Sequence, residues 1–150
     1  MNIAAPLVFL GGSVGQTTWR DRVIPLLDAA SVTYFDPRYK PGGGRWASEE
    51  EAQMKDGARV VLLVVSRETR ATSTLVEVAE QSLKRPGSLV LVIEDVPEGS
   101  VIDGEEVGPR QLRDLNRGRA YARIIATQAG VRIYSSVAEA AQAVIDLSRG

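Results

Sequence analysis

Short apolar runs alternating with amphipathic stretches predict an α/β fold: a doubly wound, five-stranded, mostly parallel sheet with helices on both faces. Two observations carry this prediction. Val60-Val61-Leu62-Leu63-Val64-Val65 is apolar without interruption, as a strand covered on both faces must be. Stretches with helical spacing, such as Trp19, Val23, Leu26, Leu27 and Ala30, separate that run from its neighbours. A chain of 150 residues suits a single domain, residues 1–150, with one continuous core and one principal site.

Taken in order, Leu7 to Leu10 is the first strand, Gly11 to Thr18 a loop, and Trp19 to Ala30 a helix. Val32 to Phe35 is the second strand; it runs into Asp36-Pro37-Arg38, and Pro41-Gly42-Gly43-Gly44 then forbids regular structure. Ser48-Glu49-Glu50-Glu51 matches a capping box and opens a helix that ends near Gly57. After the third strand, Val60 to Val65, a helix opens with Ser73-Thr74-Leu75-Val76-Glu77 and runs to about Lys84, before Pro86-Gly87. Leu89 to Ile93 is the fourth strand, Pro109 to Ala129 a long helix, Val131 to Tyr134 the fifth strand, and Ser136 to Glu139 caps the last helix.

Glu94 to Glu106 breaks this rhythm with six acidic and no basic residues, and Arg110, Arg113, Arg117, Arg119 and Arg123 follow at once. An acidic loop over a basic helix accounts for the pattern by solvation and pairing; arginines facing a phosphate or a neighbouring subunit would account for it by function. Val101 to Val107 is expected to fold back as a small hairpin around Asp103-Gly104.

Composition excludes much chemistry. Eighteen basic and nineteen acidic residues give a formal charge of -1, so no global field recommends nucleic acid or an anionic membrane as partner, and a small molecule is expected. The chain has no cysteine and no histidine, which removes thiol nucleophiles, disulfides, histidine-based triads and the common zinc sites. Met1 to Pro6 has no basic n-region and no apolar run approaches the roughly 20 residues that cross a bilayer; a cytoplasmic location is the expectation. Gly11 to Thr18 is neither a Walker A loop nor a dinucleotide fingerprint, because both need glycine where Leu10 stands and the former needs lysine at Gln16.

A parallel sheet gathers the carboxyl ends of its strands, and open α/β sheets bind ligands there. That edge would bring together Gly11, Gly12 and Ser13 from the first loop, Asp36 and Arg38 from the second, and Ser66 to Thr72 with Ser73 and Glu77 from the third. Two carboxylates, a guanidinium, hydroxyls and free amides suit attack on the anomeric carbon of a sugar. Glu77 is the candidate nucleophile. Thr74-Leu75-Val76-Glu77 is equally a capping-box match, in which Glu77 would only reach back to the Thr74 amide.

Phe9-Leu10-Gly11-Gly12-Ser13, Trp19-Arg20, Asp36-Pro37-Arg38, Trp46 and Ser73-Thr74-Leu75-Val76-Glu77, in this order, resemble the nucleoside 2-deoxyribosyltransferase-like family, and within it a phage and bacterial branch with an asparagine-proline-arginine turn after strand two. The resemblance extends from the first strand to the fourth. It implies a flavodoxin-like doubly wound fold and cleavage or transfer of the N-glycosidic bond of a nucleoside or nucleotide, with no metal or organic cofactor. It places the nucleophile at Glu77, the substrate at Gly11, Gly12, Ser13, Asp36, Arg38 and Ser73, and a stacked base at Trp19 or Trp46. It also implies homo-oligomers in which a neighbour contributes to the site. The chain departs from the family at Ala71, where an aspartate or serine is common six residues before the nucleophile, and at Ala79, where glycine is common. A non-catalytic nucleotide-binding module of the same fold is the alternative that Ala71 keeps open.

Overall fold

β-Branched and leucine side chains fill Val60–Val65, and all six positions are buried because the strand has neighbours on both edges and helices on both faces. In the computed structural model, which describes residues 6–150, the elements follow as β1 (Val8–Gly11), α1 (Trp19–Ala29), β2 (Tyr34–Phe35), α2 (Ser48–Gly57), β3 (Val60–Val65), α3 (Thr72–Lys84), β4 (Leu89–Ile93), β5 (Val101–Ile102), β6 (Glu105–Glu106), α4 (Pro109–Gln128), β7 (Ile133–Tyr134) and α5 (Val137–Arg149). Met1 to Ala5, read above for the absence of basic residues, lies outside the described residues.

The main sheet has the order β2-β1-β3-β4-β7, and every pairing in it is parallel. The chain leaves β1 toward β2 and returns on the other side of β1 to form β3, so the direction of winding reverses between β1 and β3. Such a reversal opens a crevice at the carboxyl ends of the two strands.

Alternation along each strand divides the core into two layers. Leu62, Val64, Val90 and Val92 face α1 and α5, meeting Trp19, Val23, Leu27, Ala140, Ala141 and Val144. Val61, Leu63, Val65, Leu91 and Ile93 face the opposite layer with Val78 of α3 and Ala122 and Ala126 of α4. The doubly wound architecture expected from the sequence is the one observed. Its edge strands are shorter than expected: only Tyr34–Phe35 and Ile133–Tyr134 pair, while Val32 and Val131 contribute buried side chains without joining the ladder. A sheet edge kept to two residues leaves few open backbone groups. β1 keeps its expected length but is shifted by one residue, to Val8–Gly11, since Gly11 pairs with Leu63.

The expected hairpin is present. β5 and β6 pair antiparallel, and Asp103 (φ 53°) and Gly104 (φ 78°) provide the two positive φ angles of its tight turn. The acidic stretch does lie over the basic helix, with Arg123 donating to Asp95 at 2.8 Å. Arg110, Arg113 and Arg117 are exposed. Arg119 does something the sequence did not announce: it is fully buried and donates to the main-chain oxygens of Glu94 (2.7 Å), Ser66 (2.9 Å), Thr69 (2.9 Å) and Leu115 (3.2 Å). It thereby ties the loop after β3 to the loop after β4. Among the described residues no helix is long and apolar enough to cross a membrane.

Removing this donor from the Glu94, Ser66 and Thr69 carbonyls predicts that Arg119→Met costs about 2–4 kcal/mol of stability. Urea unfolding followed by circular dichroism checks this; a midpoint within error of wild type would show that the loop carbonyls find other partners.

Candidate active site

Gly12 and Ser13 follow β1 at its carboxyl end, beside β3, where the winding reverses. Gly12 has φ 135°, and a Cβ there would lie 2.7 Å from the Val64 carbonyl oxygen, so the loop can pass this close to β3 only as glycine. Gly11 is constrained from the side, where a Cβ would collide with Leu63. Arg20, fully buried in the first turn of α1, turns back beneath the loop. Its guanidinium donates to the carbonyls of Leu10 (3.1 and 3.2 Å), Gly12 (2.9 Å) and Ser13 (3.1 Å). On the other wall, the Ser13 hydroxyl lies 3.2 Å from that of Thr74, a fully buried side chain of α3.

Of the three capping readings of the sequence, Ser136 caps α5 by accepting from the Glu139 amide at 3.1 Å, and the other two are displaced. α3 starts at Thr72 behind Ala71, which is held at φ 58° and offers no side-chain cap; Thr74 is therefore inside the helix, and Glu77 lies more than a turn beyond its first residue. Glu77 does not cap. Its carboxylate accepts from Lys55 Nζ of α2 at 3.3 Å and is about one third exposed. α2 likewise has Ala47, not Ser48, at its N-cap, and Glu50 reaches back to the Ala47 amide at 3.2 Å. That leaves Glu51 free to turn inward. Burial, and next the negative charge of Glu77, push the Glu51 carboxyl above its usual range, while Lys55 and Arg20 pull it the other way. One face of α2 thus carries both Glu51 and the Lys55 ammonium that pairs with the Glu77 carboxylate.

Asp36 and Arg38 arrive at the same edge but are engaged with each other. Arg38 donates to both Asp36 oxygens (3.1 and 2.9 Å) and to Asp21 (3.0 Å). The Asp36 hydrogen bond is the chief reason that the guanidinium pKa is raised. Trp46 is half-buried, with its ring 4.8 Å from Phe35 and its indole N–H donating to the Tyr39 carbonyl at 2.9 Å. Phe35 in turn stacks on Phe9 at 5.3 Å. Trp19 is placed differently from the expectation. It is fully buried in the α1–α5 layer and presents no ring face on which a base could stack. Ser73 is exposed, and the hydroxyl that meets the glycine loop is that of Thr74.

Arg20, Glu51, Lys55 and Thr74 complete the cluster although the sequence marked none of them as a site residue: Glu51 and Thr74 stood only in capping boxes, and Arg20 only within a quoted motif. Helical spacing held a partial clue, because Glu51 and Lys55 stand four residues apart and share one face. Among the described residues no group of three or more acidic side chains could hold a metal ion.

Residues 5–96, more than half of the chain, match the family model described as nucleoside 2-deoxyribosyltransferase like. The chain belongs to that family. The part that matches the nucleoside 2-deoxyribosyltransferase-like model contains every member of the cluster, from Gly11 to Glu77, and ends before the β5–β6 hairpin. No curated protein matches the chain. Among solved structures it is similar to a TIR-domain chain of the activated Roq1 resistosome directly recognizing the pathogen effector XopQ, with TM-score 0.56 and 16% identity over 93% of this chain and 96% of that one. At that identity the likeness is one of fold.

The placement of Glu51 has a thermodynamic signature. A carboxyl whose pKa is raised on folding binds its proton more tightly in the native state. Its contribution to stability is then complete below the unfolded-state value of about 4.3 and is lost as pH rises through the raised native value. Glu51→Gln cannot ionise, so its melting temperature relative to wild type should rise between about pH 4 and pH 7. Thermal melts at three pH values measure this, and a difference that does not vary with pH would contradict the inward placement of Glu51.

Proposed function

We propose that this protein cleaves or transfers the N-glycosidic bond of a nucleoside or nucleotide, with Glu77 as nucleophile and Glu51 as general acid. The observation that carries the reading is the Glu51–Glu77 pair at the β1–β3 crevice. Burial and the charge of Glu77 raise the Glu51 carboxyl above its usual range, and Glu77 is ion-paired with Lys55. Pairs of acids whose environments differ in this way divide naturally into proton donor and nucleophile. Membership of the nucleoside 2-deoxyribosyltransferase-like family supports the same chemistry.

In the first step Glu77 Oε attacks the anomeric carbon. The bond from that carbon to the base nitrogen breaks, its electron pair leaves with the base, and Glu51 delivers the proton that neutralises the leaving group. The product is a glycosyl ester on Glu77. In the second step Glu51, now a carboxylate, takes a proton from water or from an incoming base, which attacks the same carbon and releases Glu77. Water gives hydrolysis and a base gives transfer. The backbone of Gly11 to Ser13 and the Thr74 hydroxyl border the space for the sugar, and the half-buried ring of Trp46 is available to the base. Asp36 and Arg38 contribute as a fixed pair that shapes the wall.

Ala71 favours a second reading, a nucleotide-binding module without turnover, because this chain lacks the polar side chain that the resemblance leads one to expect there. Incubation with nucleosides and their monophosphates, followed by chromatography for free base, separates the two. The enzymatic reading expects release that falls at least ~1,000-fold in Glu77→Gln and ~100-fold or more in Glu51→Gln. Binding with no release, unchanged by either substitution, would establish the module instead.

A further inference from the structure

Arg20 poses an energetic problem that the fold by itself does not solve. Its side chain is fully buried, yet among the described residues it forms no ion pair. All its hydrogen bonds go to the Leu10, Gly12 and Ser13 carbonyls and the Thr17 hydroxyl. The Trp19 ring, 4.4 Å from the guanidinium carbon, is its other close neighbour. A buried cation without a counter-ion is costly, and a neutral donor could serve the same carbonyls. Burial is also the main cause that lowers the Arg20 pKa, to about 10.

The carboxylates that feel this charge are those of the crevice: Asp36, Glu51 and Glu77 act on Arg20 in turn, with Arg38 opposing. Asp36 is already engaged with Arg38. Around the remaining two stand Lys55 of α2, paired with Glu77 at 3.3 Å, and Glu80 of α3, 3.7 Å from Lys55. Two cations therefore act on these carboxylates, Lys55 by pairing with Glu77 and Arg20 through its charge beneath the loop. Only Arg20 is also bonded to the glycine loop.

We propose that Arg20 is a positioning residue for the reaction assigned above: it fixes the Gly12–Ser13 loop against the crevice and sets the charge balance of the Glu51–Glu77 pair. The inference rests on the catalytic reading of that pair. It joins two tasks in one side chain, since moving the loop carbonyls would also move the charge. Lysine keeps the charge but cannot reproduce the planar fork that reaches several carbonyls at once, and glutamine keeps some hydrogen bonding without the charge. The two substitutions separate the tasks.

Base release is measured against pH for wild type, Arg20→Lys and Arg20→Gln, and the ionisation of Glu51 is followed independently by carboxyl carbon NMR. Without the nearby cation, Glu51 should hold its proton to higher pH. Arg20→Gln should thus move the alkaline limb of the profile, and the Glu51 titration, upward by about 0.5–1 unit. Arg20→Lys should lower the rate about 10-fold or more with the limb and the titration within 0.2–0.3 unit of wild type, roughly the precision of such fits. Equal rate losses with unmoved limbs and unmoved titration in both variants would overturn the proposal, leaving Arg20 a purely structural residue. Absence of base release from wild type would defeat the catalytic reading, whereas the Glu51 titration would still report on the charge. Should Arg20→Gln not fold, a Lys variant whose Glu51 titration moves as far as 0.5 unit would be enough to overturn it.

Discussion

Two buried guanidinium groups bind main-chain oxygens at the carboxyl edge of the sheet, and the geometry of everything above that edge depends on them. A parallel sheet ends in loops whose carbonyls lose their ladder partners as the strands stop, and buried carbonyls must find donors. Arg20 supplies them after β1, at Leu10, Gly12 and Ser13, and Arg119 supplies them after β3 and β4, at Ser66, Thr69 and Glu94. One arginine comes from each face of the sheet. Between them the loops that flank the β1–β3 reversal are fixed without a metal, a disulfide or a histidine, none of which the described residues provide.

The same arrangement accounts for what the sequence disclosed and what it concealed. Apolar runs marked β3 and β4 to the residue because burial on both faces leaves no ambiguity of periodicity. At β2 and β7 the apolar run outlasts the ladder, since Val32 and Val131 are buried by packing and not by pairing. The two capping boxes went astray for a conformational reason. Residue types permit Ser48 with Glu51 and Thr74 with Glu77, but the N-cap falls where the backbone leaves helical angles, at extended Ala47 and left-handed Ala71. Displacing the second box turned Glu77 from a local cap into a long-range partner. Contacts such as Lys55 with Glu77 join elements 22 residues apart, and no window along a single chain contains them. Trp19 failed as a site residue for the opposite reason: its helical spacing with Val23 already declared it a core residue.

Membership of the nucleoside 2-deoxyribosyltransferase-like family and the geometry of the crevice are independent lines, the first from sequence similarity over residues 5–96 and the second from side-chain placement. The proposed reaction draws on both, since the matched stretch contains Glu77. Geometry adds Glu51, which the sequence had assigned to a cap.

α2 differs from the other helices in one respect that bears on all of this: none of its residues is buried. It is held by charge, through Lys55 to Glu77 and Glu80 and Lys84 to Asp56, and by Arg85, which grips the carbonyls of Lys55, Ala58 and Arg59 at its C-terminal end. Its N-terminal side follows three glycines with φ between 82° and 91°. An element docked through few apolar contacts opens at lower free energy than the body of the fold, and its docking weakens as salt screens the exposed pairs. Glu51 and Lys55 therefore sit together on the one helix without a buried residue. Ionic strength becomes a control on how firmly α2 docks, while the glycine loop, Thr74 and Arg20 stay where the sheet holds them.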